Sequence, residues 1–392
     1  MNGNSNIPTS ALVNYYDANY INTAVGLQGN ESGNLLSGYR RIHMGNPNLR
    51  WEATRQTDIG FDFAILHERL SGSFDYFHKY TDGMLYEPGY LSAIGEGGSM
   101  WVNAANMTNQ GVEFQLNYAS DPNKSFTFEI GGNIASYTNQ IDDLPSTVRF
   151  DYGGNGLGDD ILGRPLNSIY GFVADGIFQN QEEVNDSPEQ PGKGVGRIRY
   201  KDLDNDGRIT TQYDRTWIGI TDPDFTYGIT FNADYKSFDF GMFWQGLLGN
   251  TVRQDWKTYS DFWNVWTQNG FNHPTRLLGA WTPQNPTSTI PALSMSNPND
   301  ERRVSTYFME SGSYLKLRSI EFGYTLPASL ASKVRLQSFR IYIQAQNIIN
   351  IHKWWGDDKY TGVDPENPTK AGEYSSPYAI PQFFRTGINV AF

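Results

Sequence analysis

From Pro223 to Gln245 the chain reads PDFTYGITFNADYKSFDFGMFWQ, and this alternation constrains the fold more tightly than any other stretch. Phe225, Tyr227, Ile229, Phe231, Ala233 and Tyr235 alternate with Thr226, Gly228, Thr230, Asn232 and Asp234, placing large apolar groups on one strand face and small polar groups on the other. After Lys236 and Ser237 the plan runs back through Phe238, Phe240, Met242 and Trp244. Strands of soluble sandwiches are usually about 5 to 6 residues long, whereas a bilayer asks for about 9 to 11 tilted residues with their apolar face in lipid. Two long strands joined by so short a turn predict an outer-membrane hairpin, and hence an all-β, antiparallel transmembrane β-barrel.

Composition agrees. Aromatic residues make up 15% of the chain and Gly occurs 40 times, a pairing suited to aromatic girdles, small lumen residues and recurrent turns. No apolar run approaches the roughly 18 residues of a helical span. The absence of Cys removes disulfides, thiolate chemistry and Cys-based zinc sites. A formal charge of -12 argues against a nucleic-acid partner. The first residues, MNGNSNIPTS, have neither the basic region nor the apolar core of a secretory signal.

Residues 1–50 read as an extracellular loop segment and 51–392 as barrel. Ile59, Phe61, Phe63 and Ile65 alternate with polar or small residues, as do Phe74 and Tyr76, Val112 to Tyr118, Phe126 to Ile134, Phe339 to Ala345, and Phe384 to Phe392. Residues 86–108 read as a Gly-rich connection. Leu315 and Leu317 precede Ile320, Phe322 and Tyr324, so the apolar parity changes and predicts a bulge at Arg318 and Ser319. Short turns near residues 68, 122, 236 and 330 fall on one side, and long outer loops at 138–222, 251–311 and 351–379 on the other. This parity places Ser168 to Phe178 in a loop hairpin and leaves about nine spanning strands, an odd number that predicts a missing N-terminal side.

GNPNLRWE at 45–52, RLSGSFDYFHKYTDGML at 69–85, NQGVEFQLNY at 109–118, YGFVADGIF at 170–178, DLDNDGRIT at 202–210, SYLKLRSIEFGYTLP at 313–327, QNIINI at 346–351, TGVDPE at 361–366 and the final FRTGINVAF carry a resemblance. In this order they resemble the C-terminal portion of the SusC/RagA family of TonB-linked outer-membrane transporters, over nearly the whole chain from residue 40. The resemblance implies a barrel of about 22 strands, an N-terminal plug, energy supplied through TonB, and a SusD-like surface lipoprotein as lid. It implies oligosaccharide import, with peptides in some members. Signal, TonB-contacting segment, plug and first strands are absent from this chain, so by itself it is not expected to transport. The lumen face, with Glu113, Gln115, Glu129, Arg340, Gln344 and Arg385, is expected to stay wet and to meet the plug.

Three constellations stand out in the loops. Asp202, Asp204 and Asp206, Gly207, the backbone carbonyl of Arg208 and the apolar Ile209 follow the first half of a calcium loop, but position twelve is Tyr213, with Asp214 one place later. Calcium binding and a solvated acidic turn both fit, and no cofactor is required. Trp256, Tyr259, Trp263 and Trp266 recur at helical spacing, fitting either loop packing or stacking on sugar rings. Trp354 and Trp355 fit contact with ligand or lipoprotein as well as anchoring at the membrane boundary. The terminal Phe392 resembles the aromatic signal read during barrel insertion.

An enzyme finds no support. His43, His67, His78, His273 and His352 have no metal-ligand spacing, and no nucleophile elbow or phosphate loop occurs. Carboxylate pairs such as Asp159 and Asp160 read as solvated turns. The alternative is a secreted, calcium-stabilised β-sandwich that binds glycan, in which the same apolar groups meet one another between two stacked sheets.

Overall fold

The computed structural model describes residues 9–17, 39–87, 99–145, 149, 153–154, 159–262, 274–294, 299–352, 360–366 and 380–392. Nine strands form one antiparallel sheet: β1 (Ala53–Ile65), β2 (Leu70–Tyr86), β3 (Val102–Ala119), β4 (Phe126–Asp143), β5 (Phe225–Tyr235), β6 (Phe238–Leu248), β7 (Tyr314–Thr325), β8 (Ser338–Ile351) and β9 (Phe383–Ala391). Each pairs with its sequence neighbours, so the sheet is a plain meander. Short connections, such as the two-residue turn in which Lys236 takes φ 57°, close one end, and the long loops leave from the other.

Register carries the alternation from strand to strand. Phe128, Ala233, Phe240, Phe322, Ile343 and Thr386 form one continuous row across β4 to β9. Glu129, Asn232, Gly241, Glu321, Gln344 and Arg385 form the adjacent row on the opposite face. The apolar face has no second sheet stacked on it among the described residues. Ile59 is 66% exposed, Phe384 75% and Ile343 58%, and the buried apolar clusters lie elsewhere. The sandwich alternative is therefore wrong: the apolar face is an outer wall awaiting lipid, and the polar face lines the interior. Phe126, Phe128, Phe231 and Phe240 form a ladder of rings with centroids 5.9 to 6.3 Å apart near the short turns, a girdle at one boundary.

Strands β2, β3 and β4 hold 17, 18 and 18 residues, well beyond the 11 of β5 and β6. Residues 102–108 and 138–143, which the sequence reading gives to connections, are strand. The cause is the end of the hydrocarbon layer: the outward positions there are His78, Tyr80, Thr108, Gln110, Thr138 and Gln140, so backbone pairing continues while apolar alternation stops. The bulge is where the parity change predicts it, with register slipping between Leu317 and Ser319.

Outside the wall, Ser168–Phe172 pairs with Arg215–Ile220, and Ala174–Ile177 with Ile198–Tyr200. The 168–178 segment is thus loop structure, but it pairs with later segments rather than folding back on itself. Phe172, Ile198, Tyr200, Ile209, Phe262 and Phe308 bury one another there, so two long loops share a core of their own. Residues 1–50 are not simply irregular: Tyr15–Asp17 and Arg40–Met44 form a small sheet with Ser99–Met100.

Candidate functional site

The inner face of the wall is built from the positions that alternate with the lipid-facing rows. Arg340 on β8 donates to Asp239 on β6 (Nε to Oδ1, 3.0 Å) and to Glu321 on β7 (2.6 Å), and Gln344 Nε2 donates to Glu321 Oε2 at 3.2 Å. Three strands are thereby braced through charge-assisted bonds on the wet side. Further along, Gln115, Asn133 and Gly228 stand in register. Gly228 leaves room for the Asn133 side chain, whose Oδ1 a Cβ there would approach to 2.6 Å and displace.

At the outer end of β7 the parity change leaves Lys316 and Arg318 facing inward, between Leu315 and Leu317 and the strand beyond the bulge. Lys316 Nζ donates to Asp364 Oδ1 at 2.6 Å and Glu366 Oε2 at 2.7 Å, and Arg318 donates to Glu366 Oε1 and to Gln245 Oε1. Asp364 also accepts from the backbone N–H groups of Glu366 (3.0 Å) and Ile380 (3.3 Å). Burial pushes both carboxyls up, but hydrogen bonds from Lys316 and the Glu366 and Ile380 N–H groups to Asp364, and from Arg318 and Lys316 to Glu366, outweigh it and hold both below the usual range. In the same loop Thr361 donates its backbone N–H and its hydroxyl to Glu310, each at 2.7 Å, while Lys257 stands 2.6 Å from that carboxylate. Two loops, those between β6 and β7 and between β8 and β9, are therefore fastened to each other and to the mouth of the wall by buried polar bonds.

A second knot joins the loops between β4 and β5 and between β6 and β7. Arg197 Nη1 donates to Glu301 Oε2 at 2.8 Å, and Glu301 Oε1 accepts the Ile198 N–H at 2.7 Å. Gln190 and Asn299 satisfy each other and the Ile198 carbonyl. Arg303 lies 4.7 Å from the centroid of Phe172 and 4.8 Å from that of Tyr200.

Residues 202–208 form a tight acidic turn. Asp202 accepts from the N–H groups of Asn205 and Gly207, Asp204 from that of Asp206, and Asp206 from that of Arg208, and Gly207 has φ 85°. One carboxylate oxygen from each of Asp202, Asp204 and Asp206 lies within 4.8 Å of the others. Asp214 is not a fourth member. It is fully buried and accepts from Leu203 N, Thr210 N and the Thr210 hydroxyl, because it caps that turn rather than the cation position. Asp159 and Asp160 are half-buried rather than freely solvated: Trp217 Nε1 donates to Asp159 at 2.7 Å, and Arg149 and the Leu162 N–H donate to Asp160.

Trp256 is half-buried, with Arg276 5.3 Å from its ring centroid and its Nε1 bonded to Gln254. The Tyr259 side chain and Trp263, Trp266, Trp354 and Trp355 lie outside the described residues. Phe392 stands 85% exposed just beyond β9. The Lys316, Asp364 and Glu366 cluster was missed by the reading for alternation, although two basic residues at inward positions beside a predicted bulge were its signal.

A family model described as "TonB dependent receptor-like, beta-barrel" matches residues 11–169. The chain is 28% identical over 371 residues to TonB-dependent receptor P3 of Formosa agariphila, covering 88% of this chain and 35% of that protein. Against TonB-dependent receptor SusC of Bacteroides thetaiotaomicron it is 27% identical over 356 residues, covering 88% and 32%. In sequence the chain is similar to TonB-dependent receptors, SusC among them. The solved structure of the RagAB peptide transporter superposes with a TM-score of 0.76 at 22% identity, over 100% of this chain and 39% of that one, and shows the same fold. The chain spans about a third of the length of the curated relatives it matches. Its sheet is accordingly a stretch of outer-membrane barrel wall, open at β1 and β9.

Proposed function

We propose that this receptor wall and its outer loops form part of a TonB-dependent importer of oligosaccharides or peptides, working with a SusD-like surface lipoprotein. The observation that carries the proposal is the division of the nine-stranded wall: a mainly apolar face, in register from strand to strand, points out, and hydrogen-bonded polar rows face a wet interior beneath interlocked loops. The lipoprotein is supported by an aromatic and aliphatic patch outside the membrane, where Leu12, Val13, Tyr15, Tyr16, Tyr39 and Ile42 are all exposed. The rest of the importer, plug and TonB contact included, is assigned to the remainder of the receptor. Asp202, Asp204 and Asp206, with the Arg208 carbonyl, are proposed to hold a calcium ion that stiffens the outer loop. Phe392, exposed beside the last strand, is proposed as the aromatic group read during barrel assembly.

The test is growth of a strain deleted for the full-length gene on defined oligosaccharides and on peptides as sole nutrient, with and without a TonB gene. Loss of growth on one nutrient class in both mutants is expected. Unimpaired growth on every class overturns the proposal. Recovery of the surface lipoprotein with the tagged wild-type receptor, and its loss from a Tyr15→Ser/Tyr16→Ser variant, tests the lid.

A further inference from the structure

Lys316, Asn347, Asn350, Asp364, Ile380, Pro381 and Gln382 line an open cavity of about 370 Å³ where β7, β8 and β9 meet the outer loops. The volume lies in the range of small-ligand sites and is sufficient for a sugar ring. Its floor is charged but balanced. Lys316 and Asp364, each 3% exposed, are bonded to each other, and Arg318 and Glu366 complete a set of two cations and two anions. A further charged ligand therefore gains little there, and a carboxylate would meet Asp364 and Glu366 at close range.

The rim has a different chemistry. Asn347 adopts φ 56° and turns its Nδ2 to the Pro381 carbonyl at 3.2 Å, which leaves its Oδ1 for another donor. Among the described residues, nothing engages the side-chain amides of Asn350 and Gln382. Each offers both a donor and an acceptor, the combination that matches a hydroxyl. Lys316 uses two of its three protons. Pro381 and Ile380 supply an apolar edge to set against a sugar's C–H face. We propose that this cavity is a subsite for one residue of a neutral oligosaccharide, held by Asn350, Gln382 and the Asn347 carboxamide oxygen at the mouth of the lumen.

The inference rests on the import reading and narrows its substrate class to uncharged glycans. One side of the cavity stands on the wall, where Lys316 and Asn350 are register partners, and on the loop side Asp364 is held by three hydrogen bonds.

The probe is an array of neutral and uronic-acid oligosaccharides, together with a set of short peptides, applied to the full-length receptor in detergent. Asn350→Ala/Gln382→Ala removes only exposed rim amides, and Asn350→Trp fills the cavity from its edge. Binding of a neutral oligosaccharide is expected, weakened about tenfold or more in the double variant and abolished in the filled one, with unchanged thermal unfolding. Equal binding by wild type and both variants overturns the subsite and leaves import untouched. Binding of peptides or uronic-acid glycans alone overturns the neutral-glycan assignment. Failure of the import reading is separate, since it shows as unimpaired growth of the deleted strain on every nutrient.

Discussion

Lys316 Nζ stands 2.6 Å from Asp364 Oδ1, with both side chains almost wholly shielded from water, so the loop between β8 and β9 is fastened to the wall by a buried ion pair. Removing one partner leaves the other charged, buried and unpaired. Lys316→Met should therefore cost roughly 3 to 5 kcal/mol of local stability at residues 360–366, while Lys316→Met/Asp364→Leu recovers much of the loss. Amide exchange of that segment in the detergent-solubilised receptor measures both, and additive losses in the double variant contradict the pairing.

The same loop gives a pH dependence with a defined sign. Although burial raises the Asp364 and Glu366 carboxyls, the bonds that Asp364 accepts from Lys316 and two backbone N–H groups, and Glu366 from Arg318 and Lys316, lower them by more, so the folded values lie beneath the unfolded ones. The stabilisation is complete above the ordinary carboxylate range of about 4 and disappears as pH falls through the lowered folded values. Protease protection of residues 360–366 is expected to hold from pH 8 to pH 5 and to fail only in stronger acid. A loss centred near neutrality would contradict the assignment.

The orientation of the wall predicts opposite outcomes at neighbouring residues. Ile229 faces out and Thr230 faces the interior, where its side chain lies against Gly131. Ile229→Arg should cost about 2 to 4 kcal/mol in urea unfolding of the membrane-inserted protein, and Thr230→Arg within about 1 kcal/mol of nothing. Equal costs would remove the distinction between lipid and lumen faces.

Calcium binding at the acidic turn predicts that millimolar calcium slows proteolysis between residues 202 and 214 and that chelation reverses it. Asp204→Asn/Asp206→Asn should erase the difference, since those two carboxylates each keep an oxygen that no backbone amide occupies. Asp214→Asn should loosen the turn with or without calcium, because Asp214 caps the Thr210 and Leu203 N–H groups. Protection that ignores calcium in the wild type refutes the site.

The wall was legible in the sequence because lipid forces a period of two on every strand it touches, from Ile59 to Phe384. The bulge at Arg318 was legible for the same reason: a parity change has only one geometric cause. What the alternation could not reveal is structure that lipid does not touch. Thr108 and Gln140 continue the ladder in a setting where outward residues are free to be polar, so their pairing left no pattern. Glu301 and Arg197 are 104 positions apart, and nothing local to either announces the other. Asp364 lay inside a recognised TGVDPE segment, but its partner Lys316 is identified only once β7 is placed beside the returning loop.

The Arg197 and Glu301 pair predicts that the two longest loops respond as one. Glu301 is 1% exposed, and burial raises its carboxyl even with Arg197 beside it, so its charge persists only because three donors converge on it: Arg197, the Ile198 N–H and Asn299. Glu301→Leu keeps the volume but strands the Arg197 guanidinium and the Ile198 N–H in an interior that water does not reach. Amide protection should fall not only around 299–304 but also across 198–209 in the other loop, by roughly 3 kcal/mol or more. Arg303, wedged against Phe172 and Tyr200, transmits the loosening to the shared apolar core. The wall strands β5 and β6 should keep their protection, since the knot lies wholly outside the sheet. A change confined to residues 299–304 would mean that the loops open independently and that the pair is local.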